Sequence, residues 1–391
     1  MRKLLIGLLL AAMVSPLAAQ DYTAVLQEIE SNSTTLKALR EQAEADKLAS
    51  RTGIYLDNPE VEFNYLWGDP SVMGNRTDVS VKQSFDFPSA YAYKGKIAKL
   101  ESVNAELKYK SERVQLLLSA KQLCIELIYF NALSKEYEIR LQHAEAISQS
   151  YRKKLENGET NSIENNKAQM NLITVRNEKV RIDVERENIL SELKRLNGGK
   201  KISFETSDFH LSPLPANFED WYSGAEVKSP VLQYVRAQVE INEKRIKLNR
   251  ALGLPKFSAG YMSEKLAGEH FQGVTVGVSV PLWANKNRIK QSKAAAQTAR
   301  TVAEDTRMQF YNRLQNLFLK ASGLQQSVTT YRSSLDSFNN AVLLKKALDM
   351  GEISLLDYLL EMQYYYDAVE NALAAEKDFE LALADLSAVE L

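Results

Sequence analysis

Cysteine is all but missing from this chain of 391 residues: Cys124 stands alone, so no disulfide can close within it. Its surroundings, LCIELIYF, carry a helical apolar pattern that suits a buried thiol better than a reactive one. Histidine is nearly as scarce, and His143, His210 and His270 are too scattered to pair with that cysteine or with carboxylates as metal ligands. There is no nucleophile motif and no glycine loop to cradle a phosphate; NGGK (197–200) reads as a helix stop. These absences exclude the common enzyme classes, and no catalytic residue, cofactor or metal is expected. Charge of one sign is also lacking, since 49 basic against 50 acidic residues leave a net −1 and no electrostatic case for nucleic acid. Beyond the N-terminus no segment reaches roughly 18 uncharged apolar residues, so no transmembrane helix is expected.

What is present is substantial. At 45% hydrophobic and 25% charged residues the chain is apolar enough to fold. It starts with MRKLLIGLLLAAMVSPLAAQ, a basic start, an apolar run and small residues, which reads as a secretory signal cleaved after Ala19, with no cysteine there to carry a lipid. Neither glycine nor proline occurs between Lys96 and Asn157, and only Gly323 between Ala284 and Met350. Two helices of roughly 60 to 65 residues, about 90 to 100 Å each, are predicted there. Leu123, Leu127, Phe130, Ser134, Tyr137, Leu141, Ala144, Ser148, Tyr151 and Leu155 recur at alternating spacings of four and three. Phe310, Leu314, Leu317, Ala321, Leu324, Val328, Tyr331, Leu335, Phe338 and Val342 do the same, and both rows read as coiled-coil seams.

The two halves repeat one plan. KLENGETNSIE (154–164) aligns with ALDMGEISLLD (347–357), Gly158 on Gly351, and the same offset places Pro88 on Pro281 and Leu193 on Leu386. Upstream, STTL (33–36) pairs with SPVL (229–232), Arg40 with Arg236 and Pro59 with Pro255 at an offset three residues larger, so the first half has a longer loop between Pro59 and Pro88. The predicted organisation is a signal peptide (1–19), a first repeat (20–199), a linker (200–216) and a second repeat (217–391), with 20–391 forming one intertwined body. Each repeat reads as helix, strand pair, very long helix, glycine turn and returning helix.

Strands are predicted at 60–67 and 77–85, with counterparts around Phe257, Ala259 and Tyr261 and around Val274, Val276, Val278 and Val280. Each alternates an oily and a polar face at a length that suits a tilted membrane strand. Four such strands cannot close a barrel, which takes about eight, and two open edges in lipid would leave on the order of a dozen backbone groups unpaired at several kcal/mol each. Several copies must therefore complete the barrel together.

In this order and at these offsets, the bracketing prolines Pro59, Pro88, Pro255 and Pro281, the stretch VSVPLW with Asn287 and Arg288, and the turns at Gly158 and Gly351 resemble the TolC-type outer-membrane efflux protein family over nearly the whole mature chain. The resemblance implies a mainly α fold with a transmembrane β-barrel portion: a homotrimer whose four strands per chain make a twelve-stranded barrel, continued by a periplasmic α-helical tunnel. It implies a passive export duct in the outer membrane, in contact with outer-membrane lipid and docked to a periplasmic adaptor and an inner-membrane efflux transporter. It places pore-mouth acids at Glu164 and Asp357, with Glu361 a further candidate, and adaptor contacts at the hairpin tips Asn157, Gly158, Glu159, Thr160 and Asn161 and Met350, Gly351, Glu352, Ile353 and Ser354. Members carry a tyrosine three residues before the second glycine, an arginine two after it and an aspartate nine after it; here these are Leu348, Ile353 and Leu360.

From strand-end position, Trp67, Trp283, Tyr261 and Phe85 are expected in an aromatic girdle, and Glu60, Glu62 and Lys82 are expected to line a watery lumen. The alternative from another class is a periplasmic coiled-coil adaptor or structural protein, which would be expected to have one hairpin and no duplicated membrane-length strand pairs. Within the family, a type I protein secretion channel or a heavy-metal efflux channel are the alternatives.

Overall fold

The computed structural model describes residues 22–266, 268–283, 285–337 and 340–391. The expected signal peptide, 1–19, and Phe338 of the second seam lie outside the described residues. The elements run α1 (Tyr22–Asn32), α2 (Thr34–Ser50), β1 (Glu60–Trp67), β2 (Asn75–Phe85), α3 (Pro88–Glu156), α4 (Ser162–Leu196), α5 (Phe218–Lys228), α6 (Pro230–Ala251), β3 (Lys256–Leu266), β4 (Glu269–Ser279), α7 (Arg288–Ser337), α8 (Ala341–Met350) and α9 (Leu355–Leu386), with short 3₁₀ turns at Ser71–Met73 and Ser387–Glu390.

The internal duplication is visible in how helices start and stop. The breaks between α1 and α2 and between α5 and α6 fall on Ser33 and Ser229, both buried and equivalent in the repeat; Ser229 Oγ accepts the Leu232 N–H, and Pro230 supplies a first helical residue whose missing N–H costs nothing. At the far ends, Gly158 (φ 75°) and Gly351 (φ 72°) take the left-handed conformation. There Glu159 N–H donates to Lys154 O at 2.7 Å and Glu352 N–H to Ala347 O at 2.9 Å, closing both helices in the same way.

The chain divides into two compact units that cut across the repeats. One contains α1, the later part of α3, α4, the linker to Leu214, the later part of α7, α8 and α9. Its α3 segment buries far more than a narrow seam: Leu117, Ala120, Cys124, Ile125, Leu127, Ile128, Leu133, Ala144 and Ile147 are all buried. α3 contains an 18-residue window with a mean hydropathy of 1.3, long and apolar enough by composition to cross a membrane, and 44% of that window is buried against the protein. Burial also pushes the Cys124 thiol up to about 12, which leaves it inert. Arg140, only 4% exposed, ties α3 to α9: it contacts Glu136 at 3.1 Å, Glu370 at 2.5 Å and Tyr366 O at 3.2 Å, between the rings of Tyr137 and Tyr366.

One expectation fails in this unit. The predicted second long helix is divided, α7 stopping at Ser337 and α8 starting after Asn340. Ser333, Ser334, Asp336, Ser337 and Asn340 crowd this stretch with side chains that compete for backbone hydrogen bonds and favour helix ends. The seam holds from Phe310 to Leu335, all buried or half-buried, then changes register: Val342 is 81% exposed and Ala341, Leu344 and Leu348 turn inward instead.

The other unit holds α2, the four strands, the first part of α3, α5, α6 and the first part of α7. Its helices are joined by ion pairs, among them Glu106 with Arg40 (2.8 Å) and Lys47 (2.6 Å) and Glu226 with Arg236 (2.6 Å) and Arg307 (2.8 Å). The strands form one antiparallel sheet in the order β1-β2-β3-β4. β2 begins at Asn75, two residues before the expected start, and Val280 lies just past β4. The connection from Trp67 to Asn75 is longer than that from Leu266 to Glu269, which is where the first repeat carries its extra length.

Candidate functional site

The register sorts the strand side chains onto two faces. Val61, Phe63, Tyr65 and Trp67 share a face with Val79, Val81 and Phe85, with Phe257, Ala259 and Tyr261, and with Val274, Val276 and Val278. Among the described residues nothing covers this face: Val274 is 85% and Trp67 77% exposed. The opposite face carries Glu60, Glu62, Arg76, Asp78, Lys82, Lys256, Glu264 and Glu269. Glu60 sits directly across from Lys82, and Arg76 bridges Asp78 (2.9 Å) and Glu264 (3.2 Å). Arg76, Asp78 and Glu264 extend the expected lining set of Glu60, Glu62 and Lys82; their alternation with Thr77, Val79 and Ser263 could have revealed them.

The apolar band crosses the sheet diagonally. Val61, where the band starts on β1, lies in one row with Val81, Tyr261 and Val274, yet Tyr261 and Val274 are where the band ends on β3 and β4, giving way to Ser263, Lys265, Gln272 and His270. The band ends at Trp67 on β1 and at the level of Val61 on β4, and this slide of six residues (~20 Å) over three strand spacings (~14 Å) corresponds to strands tilted by roughly 55° from the normal of an apolar slab, beyond the 35–45° of closed membrane barrels.

That tilt corrects the reading of Tyr261 as a strand-end aromatic. It is in the middle of β3, paired with Val81 and Val274, yet it stands on the border of the apolar band, with its hydroxyl donating to Gln272 Oε1 at 2.8 Å. Trp67 ends β1 at the hairpin end of the sheet, Phe85 closes β2 at the helical end opposite Phe257, and Trp283 follows β4 at that same end, 80% exposed. Phe271, another strand-end aromatic, faces the charged side opposite Glu264.

At the hairpin tips the acids at the third helical position belong to helix caps. Asn161 Oδ1 accepts the Glu164 N–H at 2.9 Å, and the Glu164 carboxylate pairs with Lys167 at 2.8 Å. Ser354 and Asp357 form a reciprocal capping box: Asp357 N–H donates to Ser354 Oγ at 3.1 Å, while Ser354 Oγ and N–H donate to Asp357 Oδ2 at 2.6 and 3.3 Å. Glu361, one turn further along α9, borders a cavity of about 360 Å³ with Tyr331, Leu344, Tyr364 and Tyr365. Leu348 and Ile353, where the resembled family has a tyrosine and an arginine, pack instead into an apolar cluster with Ile147, Ala168, Leu355, Tyr358 and Met362. The turn residues Asn157, Glu159, Met350 and Glu352 are exposed, and Asn157 donates to Glu159 at 3.1 Å. Among the described residues no three His, Cys, Asp or Glu side chains come together to hold a metal ion.

A strand quartet with one oily and one charged face, joined to long helices that turn at paired glycines, is a fold that this chain shares with several solved outer-membrane channels. Among solved structures, the chain is similar to the Campylobacter jejuni CmeC outer membrane channel at 15% identity, covering 95% of this chain and 85% of that one with a TM-score of 0.79. It is also similar to CusC, whose structures concern folding and transmembrane channel formation, at 14% identity, 95% and 92% coverage and a TM-score of 0.79. The open state of the Neisseria gonorrhoeae MtrE outer membrane channel matches at 14% identity, 94% and 88% coverage and a TM-score of 0.72. No protein-family model and no curated protein matches the chain in sequence.

Proposed function

We propose that this chain is one protomer of a homotrimeric outer-membrane export channel, a passive duct that docks to a periplasmic adaptor and an inner-membrane efflux transporter. The observation that carries the proposal is the open sheet: its oily face is exposed along its whole length, and β1 and β4 each present an unpaired edge. Backbone groups without partners do not persist in hydrocarbon, so copies must join edge to edge until the barrel closes. The charged face then surrounds water, with Glu60, Glu62, Lys82, Arg76 and Asp78 along the lumen, while Trp67, Tyr261, Phe85 and Trp283 mark the borders of the lipid. Similarity to CmeC, CusC and MtrE supports the channel reading over a coiled-coil adaptor, since the strand quartet is part of the shared fold.

The hairpin tips, 157–161 and 350–354, are the adaptor contact in this reading. Asp357, with Glu164 and Glu361, forms the acidic mouth, where threefold repetition would make rings that favour cations. Because Asp357 also caps α9, its replacement by asparagine keeps a side chain able to accept from the Ser354 hydroxyl and removes only the charge. In planar bilayers Asp357→Asn is expected to weaken block by multivalent cations by about tenfold, with folding intact; unchanged block would take Asp357 out of the mouth.

A further inference from the structure

We infer that the oily face of the sheet carries a binding site for the phosphate of an outer-leaflet membrane lipid, built from Lys265 on β3 and His270 on β4. The inference rests on the reading that this face meets lipid. Of the charged side chains in the four strands, Lys265 alone projects from the oily face; every carboxylate projects from the other. Lys265 and His270 are direct cross-strand partners, both exposed, and Thr77 of β2 and Tyr65 of β1 complete their row. Ser263 Oγ lies 2.8 Å from His270 Nε2 and fixes the ring beside the lysine.

Their height in the membrane identifies the ligand. On β3 and β4 the apolar band stops at Tyr261 and Val274, and Lys265 and His270 are the second outward positions beyond it. At 3.3 Å per residue that puts them roughly 13 Å along tilted strands, hence about 8 Å above the hydrocarbon edge, at the level of lipid headgroups. They lie at the hairpin end, away from the helices, which the channel reading turns toward the cell exterior. A lone cation and an imidazole at headgroup level, on a face without any acid, complement the phosphate of an anionic lipid, while the Tyr261 ring at the border packs against the acyl region.

The test uses the full-length trimer in phosphatidylcholine nanodiscs doped with a bisphosphorylated glycolipid or its dephosphorylated form, with retained lipid counted by native mass spectrometry and channel conductance recorded in parallel. The wild type should retain the phosphorylated lipid preferentially. Lys265→Gln should cut that preference about fivefold and the double change with His270→Gln further, with conductance unchanged, whereas Glu264→Gln, one residue away on the charged face, should leave it intact. Equal retention of both lipids by a conducting wild type would overturn the lipid site and leave the channel reading standing, as would displacement of the lipid by inorganic phosphate or an equal loss in Glu264→Gln. Failure of the wild type to insert and conduct would overturn both.

Discussion

The two helical hairpins share their ends and differ in their shafts. Each turns on a left-handed glycine, each closes with the same backbone bond, and each restarts on a capped helix with an acid at the third position. Above the turn, α3 runs 69 residues without a break, whereas its counterpart is divided between Ser337 and Ala341. The second tip also leaves Val342, Leu343, Met350, Leu356 and Leu360 exposed, against Ile163 at the start of the first returning helix. Turn geometry thus follows from a few local residues and survives divergence of the repeats; helix continuity depends on the whole run of side chains and does not. In the proposed channel, a neighbouring protomer or the adaptor would cover the larger apolar surface of the second tip.

If the turns are equivalent, Gly158→Val and Gly351→Val should each destabilise by about 2 kcal/mol, because a β-branched residue cannot take a left-handed φ without strain. Denaturant unfolding of the detergent-solubilised protein would check this, and a large effect at only one glycine would break the equivalence. A smaller and deliberately unequal effect is expected at the caps. Ser354→Ala removes both bonds of the Ser354 hydroxyl, leaving only its backbone N–H on Asp357, and should cost about 1.5 kcal/mol, while Asn161→Ala, which removes a single side-chain cap, should cost about 1 kcal/mol. The smallest change concerns the division itself: Ser337→Ala with Asn340→Ala should favour a continuous helix by about 1 kcal/mol in total and slow amide exchange across 335–344, with no change at the equivalent stretch of α3. Equal exchange in variant and wild type would mean that something other than these side chains divides the helix.

Much of this was legible in the sequence because it is written in short-range signals. The alternation of EVEFNYLW gave β1 its full extent, and the glycine turns fell where the absence of other glycines had isolated them. Tyr261 was misplaced because a one-dimensional pattern shows strand ends but not the tilt of a sheet; only the register reveals that a mid-strand residue can stand at the edge of an apolar band. The Arg140 contacts join residues more than 200 positions apart, and no local pattern announces them. The divided helix was missed for the opposite reason: a heptad seam was followed through a serine- and asparagine-rich stretch whose helix-ending preference outweighs it. Asp357 is named only through the family resemblance, and its cap bonds to Ser354 show that an acid at this position serves helix initiation.

The most direct test is to lock β1 of one copy to β4 of another. In a Cys124→Ala background, a set of cysteine pairs across Glu60–Asn64 and Gly273–Gly277 would be oxidised in the membrane and run on denaturing gels. Within one chain these edges are separated by β2 and β3, roughly 14 Å, well beyond disulfide reach, so only contacts between copies can react. Covalent dimers and trimers at one register, spaced two residues apart on the charged face, are the expected result; a purely monomeric product from every pair would contradict the shared barrel.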